Sequence, residues 1–483
     1  MFITPNPKEY TRDESRFYLA KEIFVHLPQN TVKAAYKPIL TELFGHYTAE
    51  KVTAHLVESD TVPAGVCVIS NEPCAKTAPQ STKADYELTV KSDGAVVLFN
   101  DYAGLFHGRA GFVQMSRPDD TENTIAYYVR GCSVRDEPSV HFRAVHLCVF
   151  HQTTLEYLKK SIMLCGMMKY THIILEFWGM YRYRCCPNLG WKEAYTEQEI
   201  RPLVLIANAM GMEVVPMLNH LGHASGARVC YGKHAALDND LTMAPYFEED
   251  GWSWCTSNPK TLRLLADCRR ELIDLCGEGK FFHIGFDEAY EFGKCDRCAG
   301  KEPKKLMKEH LLRTVEDLLS LGRRPIMWAD MVLDPDKFDS KKYFFSGTLG
   351  KDILKEIPKE VILADWQYVC KDEEFKTSID LAEQGFDVVA CPWDSRENVR
   401  SAAITARNRN LFGMIETTWH TLPDIMYLIP LAADEMWGSP LKQERFSFDA
   451  YAPLCAAYNI RRCVPPMGRY ERAGFKKDEI PEI

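Results

Sequence analysis

Between residues 144 and 415 the chain repeats one pattern eight times: a short apolar run, then a longer segment with helical spacing. The runs fall near 144–150, 172–177, 213–218, 281–286, 325–329, 361–365, 386–391 and 411–415. Continuous apolar runs, unlike alternating ones, suit strands buried on both faces, and parallel strands need a long crossover that a helix supplies. The segment "NPKTLRLLADCRRELIDLC" shows the expected boundary chemistry, with Asn258 as N-cap and Pro259 in the first helical position. Eight strand–helix units predict an α/β fold, a closed (β/α)8 TIM barrel, with an open doubly wound sheet as the alternative. No GxGxxG or GxxxxGK[ST] follows any run, so nucleotide binding has no local support.

Residues 1–138 follow a different pattern. Strands over 86–90 and 95–99 join through Ser92-Asp93-Gly94, a helix covers 102–115, and another strand lies within 120–131. The expected organisation is a small α+β domain (1–138), the barrel (139–440), and a C-terminal helical extension (441–483) packed on the barrel. A chain of 483 residues is long enough for more than one core. Its net charge of −9 comes with scattered Lys and Arg, so nucleic acid is not an expected partner. The first residues lack the pattern of a secretory signal, and no run reaches the roughly 18 apolar residues of a membrane span. Seventeen cysteines, an odd number in a long chain, read as reduced thiols, and a cytoplasmic protein is expected. Cys295 and Cys298 form a CxxC, half a zinc set, but no second pair stands at a comparable spacing. The expectation is therefore no metal and no cofactor.

Barrel enzymes carry their chemistry at the carboxyl ends of the strands. Those ends bring His151; Glu176 and Trp178; Asn219, His220 and His223; Asp287 and Glu288; Trp328 and Asp330; Trp366 and Tyr368; Trp393; and Trp419. Five of the nine tryptophans fall there, and flat apolar faces among carboxylates and imidazoles suit a sugar. In "KFFHIGFDEAYEFGKC" the acids Asp287 and Glu288 are neighbours. Neighbours in a strand point to opposite faces, but where the strand ends the turn lifts that restriction. Most glycosidases hold two carboxyls on opposite sides of the bond, about 5 Å or more apart, which adjacent residues do not easily reach. An adjacent pair suits the variant in which the sugar's own 2-acetamido oxygen attacks. Glu288, with the longer reach, would then be acid and base, and Asp287 would stay ionised and orient the acetamido group. The bland alternative is an acidic pair at a helix N-terminus.

At these residues a family resemblance appears. "HIGFDEAYEFG" resembles the His-x-Gly-x-Asp-Glu motif of the family 20 glycoside hydrolases, the β-N-acetylhexosaminidases, and "LGHASG", "IMWADM", "ADWQY" and "MIETTWHT" are similar to its other strand endings. "VHLCVFH", "ILEFWGMYRY" and "MWADMV" resemble the intracellular hexosaminidase D group within it. The resemblance implies a retaining exo-β-N-acetylhexosaminidase acting on terminal GalNAc or GlcNAc through an oxazolinium intermediate, with an amino-sugar glycan as partner. It implies Asp287 as the acetamido-orienting residue, Glu288 as acid/base, and His223 as support for the acid. Trp328, Trp366 and Trp419 would wall the sugar pocket, with Asp330, Tyr368 and Trp393 beside them. Three departures stand out: His151 replaces an arginine expected after strand one, and Thr421 replaces a glutamate expected in strand eight. The acidic pair expected after strand two is also absent, leaving Glu176 as a partner for His223. A non-catalytic sugar-binding barrel and a metal-dependent hydrolase using His220 and His223 are the alternatives. Oligomeric state stays open, a homodimer being one option.

Overall fold

The computed structural model describes residues 3–441 except 49–50, 75–80, 120–125, 226–231 and 347–349. The extension expected over 441–483 therefore lies outside the described residues, apart from Leu441.

The N-terminal unit is a mixed sheet of β1 (Glu9–Leu19), β2 (Glu22–Pro28), β3 (Thr53–Ser59), β4 (Val66–Ser70), β5 (Tyr86–Lys91), β6 (Gly94–Phe99), β7 (Arg117–Asp119) and β8 (Ala126–Asp136). Its order is β1-β8-β5-β6-β4-β2-β3, with β7 paired to β8. Only β2 and β3 run parallel, and the helix Lys37–Tyr47 makes their crossover. The hairpin and the helix Tyr102–Met115 stand where the sequence puts them. Asp101 caps that helix by accepting the Gly104 N–H at 2.8 Å. Phe44 and Phe112, one from each helix, stack at 6.4 Å in a core shared with Val25 and Leu88.

The second unit is a closed parallel barrel of β9 (Phe142–Val149), β10 (His172–Phe177), β11 (Glu213–Met217), β12 (Phe281–His283), β13 (Arg324–Trp328), β14 (Ile362–Trp366), β15 (Val388–Cys391) and β16 (Gly413–Thr417). Every predicted run is one of these strands, and β16 closes on β9 with Gly413 opposite Phe142. The period of two is strict. Ala144, Ile174, Val215, Phe281, Ile326, Ile362, Val389 and Ile415 fill the barrel interior. Val145, Leu147, Ile173, Leu175, Val214, Met327 and Leu363 join the larger core that includes the helices. Asn258 accepts the Lys260 N–H at 2.9 Å at the start of the helix Pro259–Cys276, as its sequence predicts.

One buried charge cluster joins the two units. Asp136, at the end of β8, lies 3.0 Å from the Lys169 ammonium, which itself donates to the Tyr86 hydroxyl at 2.8 Å. Asp136 also accepts from Tyr86 Oη at 2.7 Å and from the Trp437 indole at 2.6 Å. Lys169 and Arg143 lie over the Trp437 ring at 4.5 and 4.9 Å. Strand, barrel and final described helix thus meet on one carboxylate whose lone pairs are all directed at donors, the condition under which a buried ion pair is tolerated.

Candidate active site

The two neighbouring acids reach one site because the backbone after β12 leaves the strand conformation. Ladder bonds continue as far as Gly285, whose carbonyl accepts the Trp328 N–H at 2.9 Å. Then Gly285, Phe286 and Glu288 take φ of +64°, +80° and +48°. Such values are uncommon for residues with a Cβ and persist only where surroundings impose them. Phe286 turns outward to stack on His310 at 5.8 Å. Asp287 and Glu288 both turn to His223, whose Nε2 lies 3.4 Å from Asp287 Oδ2 and 3.0 Å from Glu288 Oε2. The strand rule is thus suspended at this corner, as the sequence suggests.

Each member is held by further groups. Asn219 donates to Asp287 Oδ1 at 2.8 Å. Tyr290 Oη donates to Glu288 Oε1 at 2.6 Å, and Asp330 accepts the Glu288 backbone N–H at 3.1 Å. The Trp252 indole donates to the Glu288 carbonyl and packs on the His223 ring at 4.3 Å. Burial pushes the Asp287 carboxyl up, but His223 and Lys233 outweigh it and hold it below its ordinary value. Burial likewise lowers His223, and Asp287 with Glu288 reverse this, raising the imidazole to about 9. Asp330 goes the other way: burial and then the Asp287 charge raise it to about 7. The site therefore holds an ionised aspartate, a half-buried glutamate and an imidazolium between them at neutral pH.

Aromatic rings line the same mouth. Trp366, Tyr368, Trp393 and Trp419 stand half-buried as a wall, with Trp366 to Tyr368 at 5.1 Å and Tyr368 to Trp393 at 5.2 Å, while Trp328, expected beside them, is fully buried in the barrel interior and backs Trp419 at 5.7 Å. Three indoles are fixed by hydrogen bonds, Trp366 to Asp330, Trp419 to Tyr368 Oη, and Trp393 to Thr421. Thr421 is the threonine that stands where a glutamate was expected.

Glu176 differs from its expected role. It does not pair with His223, because its oxygens are already taken. His146 Nε2 lies 3.1 Å from Oε2, the Trp178 indole donates to the same oxygen at 2.9 Å, and the Lys233 ammonium lies 2.6 Å from Oε1. Burial raises the Glu176 carboxyl, yet Lys233 and His146 drive it well below its ordinary value. Lys233 lies 5.2 Å from the centroids of both Trp178 and Trp419, an enclosed cation beside the aromatic wall. His151 lies half-buried in the turn after β9.

Sequence reasoning did not single out Lys233, Trp252, Tyr290 or His146. Tyr290 follows Glu288 by two residues; Lys233 and Trp252 sit in the long segment between β11 and the helix Pro259–Cys276 with no local signal.

The metal-hydrolase alternative needs His220 beside His223. His220 instead turns into the helix layer, with Nδ1 2.6 Å from the Leu218 carbonyl and its ring 6.1 Å from Phe282. Among the described residues, His146, Cys148 and Glu176 are close enough to share an ion. The Lys233 ammonium already supplies the positive charge against Glu176 there.

A parallel barrel whose strand ends present a carboxylate pair beneath an aromatic wall has the layout of a glycoside-hydrolase barrel. Residues 172–396 match the catalytic domain of glycosyl hydrolase family 20, and residues 1–137 match domain 2 of the same family. The chain belongs to that family. It is 23% identical over 356 residues to a β-hexosaminidase of Vibrio furnissii, covering 66% of this chain and 53% of that protein. It is 26% identical over 174 residues to hexosaminidase D of Bos taurus, covering 34% of this chain and 47% of that one. The chain thus spans about half the length of these curated relatives. Its fold is similar to the exo-β-N-acetylglucosaminidase of Vibrio harveyi solved in complex with N-acetylglucosamine. There the TM-score is 0.67 at 16% identity, over 95% of this chain and 77% of that one. Among the described residues no helix is long and apolar enough to cross a membrane.

Proposed function

We propose that the protein is a retaining exo-β-N-acetylhexosaminidase that cleaves terminal β-linked GalNAc or GlcNAc with the substrate's acetamido group as nucleophile. The carrying observation is that Asp287 and Glu288 both approach one atom, His223 Nε2, at 3.4 and 3.0 Å. Two carboxylates gathered on one imidazole lean over the same side of a bound ring, whereas a protein nucleophile must face the acid across it.

Glu288 then gives its proton to the glycosidic oxygen as the C1–O bond breaks, while the acetamido carbonyl oxygen closes on C1. Asp287 accepts the acetamido N–H and balances the positive charge of the resulting oxazolinium. Glu288, now a carboxylate, takes a proton from water as that water opens the ring at C1, which returns the β-anomer. His223 orients both acids, Trp366 and Trp419 supply faces for the sugar and its acetamido methyl, and Trp328 backs Trp419. Names of relatives, which include β-hexosaminidases and hexosaminidase D, support this substrate class.

Parallel hydrolysis of chromogenic β-GalNAc, β-GlcNAc and plain β-galactoside tests the mechanism. Both acetamido sugars should be turned over and the plain hexoside left intact; equal rates on all three would remove the substrate nucleophile. Glu288→Gln should lose several orders of magnitude in kcat on a poor leaving group and far less on an acidic phenol that needs no protonation. Asp287→Asn should slow both substrates alike.

A further inference from the structure

Away from the sugar pocket, three thiols and a carboxylate converge on one buried point. Cys295 and Cys298 form the CxxC after the acid pair, and the fold brings Cys255 and Glu248 to them from the segment between β11 and the helix Pro259–Cys276. Cys255 Sγ lies 3.4 Å from Cys295 Sγ and 3.9 Å from Cys298 Sγ, and Glu248 Oε1 lies 3.4 Å from Cys298 Sγ. One ligand atom from each of the four residues falls within 4.8 Å of all the others, and every one of these residues is buried. A tetrahedral zinc, about 2.3 Å from sulfur and about 2.0 Å from oxygen, requires S···S edges of about 3.8 Å and S···O edges of about 3.5 Å. The two S···S separations bracket the first edge, and the S···O separation of 3.4 Å lies close to the second. Glu248 is also pre-oriented: its Oε2 accepts the backbone N–H groups of Lys294 and Cys295 at 2.9 and 2.7 Å, which presents Oε1 to the thiols. The CxxC itself is wound into a tight turn, with the Cys298 and Ala299 N–H groups on the Cys295 carbonyl at 2.8 and 2.9 Å.

We infer that Glu248, Cys255, Cys295 and Cys298 form a structural zinc site that fastens two active-site loops together. Binding releases the three thiol protons to solvent and leaves a closed four-coordinate ion, with no position for water and hence no hydrolytic role. Soft sulfur in the majority selects zinc over magnesium or calcium. The site holds one end of the loop that begins at Asp287 and one end of the segment carrying Trp252, the residue that grips the Glu288 carbonyl and packs on His223. The clasp thus sets where the acid/base stands without touching the sugar.

The test measures metal in the full chain, purified without chelator from zinc-supplied cells. The expected result is one zinc per chain by elemental analysis. Exchange for cobalt should give the near-ultraviolet thiolate-to-metal absorption and the intense visible bands of a tetrahedral sulfur site. The double variant Cys255→Ser, Cys298→Ser should lose the zinc, and stripping the wild type should lower Tm. Because these readouts are independent of turnover, a failed hexosaminidase assay leaves them intact. Zinc well below one per chain, a cobalt form without thiolate absorption, a Cys255–Cys295 disulfide in the purified chain, or zinc retained by the double variant would each overturn the site. Should the double variant not fold, the cobalt spectrum of the wild type decides.

Discussion

His223 ties the stability of the fold to pH. Its ring accepts a proton more readily in the folded chain, at about 9, than a free imidazole does at about 6.5. A group raised in this way contributes stability that is complete below about 6.5 and is lost as pH rises through about 9. Wild type should therefore lose roughly 3 kcal/mol between pH 6.5 and 9.5 that His223→Gln does not lose. Urea unfolding of both proteins at the two pH values checks this, and parallel losses would mean that the ring is neutral when folded. The family resemblance points to His223 as a partner for Glu288, but not to Asp287 on the same nitrogen, since only the tertiary fold brings that carboxylate within 3.4 Å. Lys233 was less legible still. An ammonium is enclosed beside Glu176 only once a distant segment folds over the barrel mouth, and nothing in "YGKHAA" announces it.

The barrel strands were legible because each is a short apolar run between helical segments, and burial on both faces leaves no exposed residues to blur the pattern. β1 was not, and its sequence explains why: "EYTRDESRFYL" lies at the sheet edge with mostly exposed side chains, so charge hides the strand. The apolar run marks the end of β12, yet nothing in it signals the turn's left-handed backbone at Phe286, a residue that ordinarily avoids it. Gly285 makes that turn possible. A Cβ there would meet Asn219 Oδ1 at 2.0 Å, and the φ of +64° adds strain. Gly285→Ala should cost about 1–3 kcal/mol and displace the amide that donates to Asp287. A thermal melt should report the first effect, and a fall in kcat larger than any rise in KM the second. Normal kcat in a well-folded variant would show that Asn219 does not position the acid.

At the scale of the whole molecule, the boundary near residue 138 separates two topologies without separating two cores. Asp136 from the sheet and Lys169 from the barrel share a fully buried contact, and Tyr86, Arg143 and Trp437 surround it. Asp136→Ala would strand the ammonium in the interior and should cost about 3–5 kcal/mol. Calorimetry should then resolve two transitions where the wild type melts in one; a single unshifted transition would mean that the units are coupled elsewhere. Anyone recombining barrels and leading sheets between relatives inherits this constraint. A crossover at the topological border divides anion from cation, so the hybrid keeps this contact only when its two parents supply matching members of the five residues.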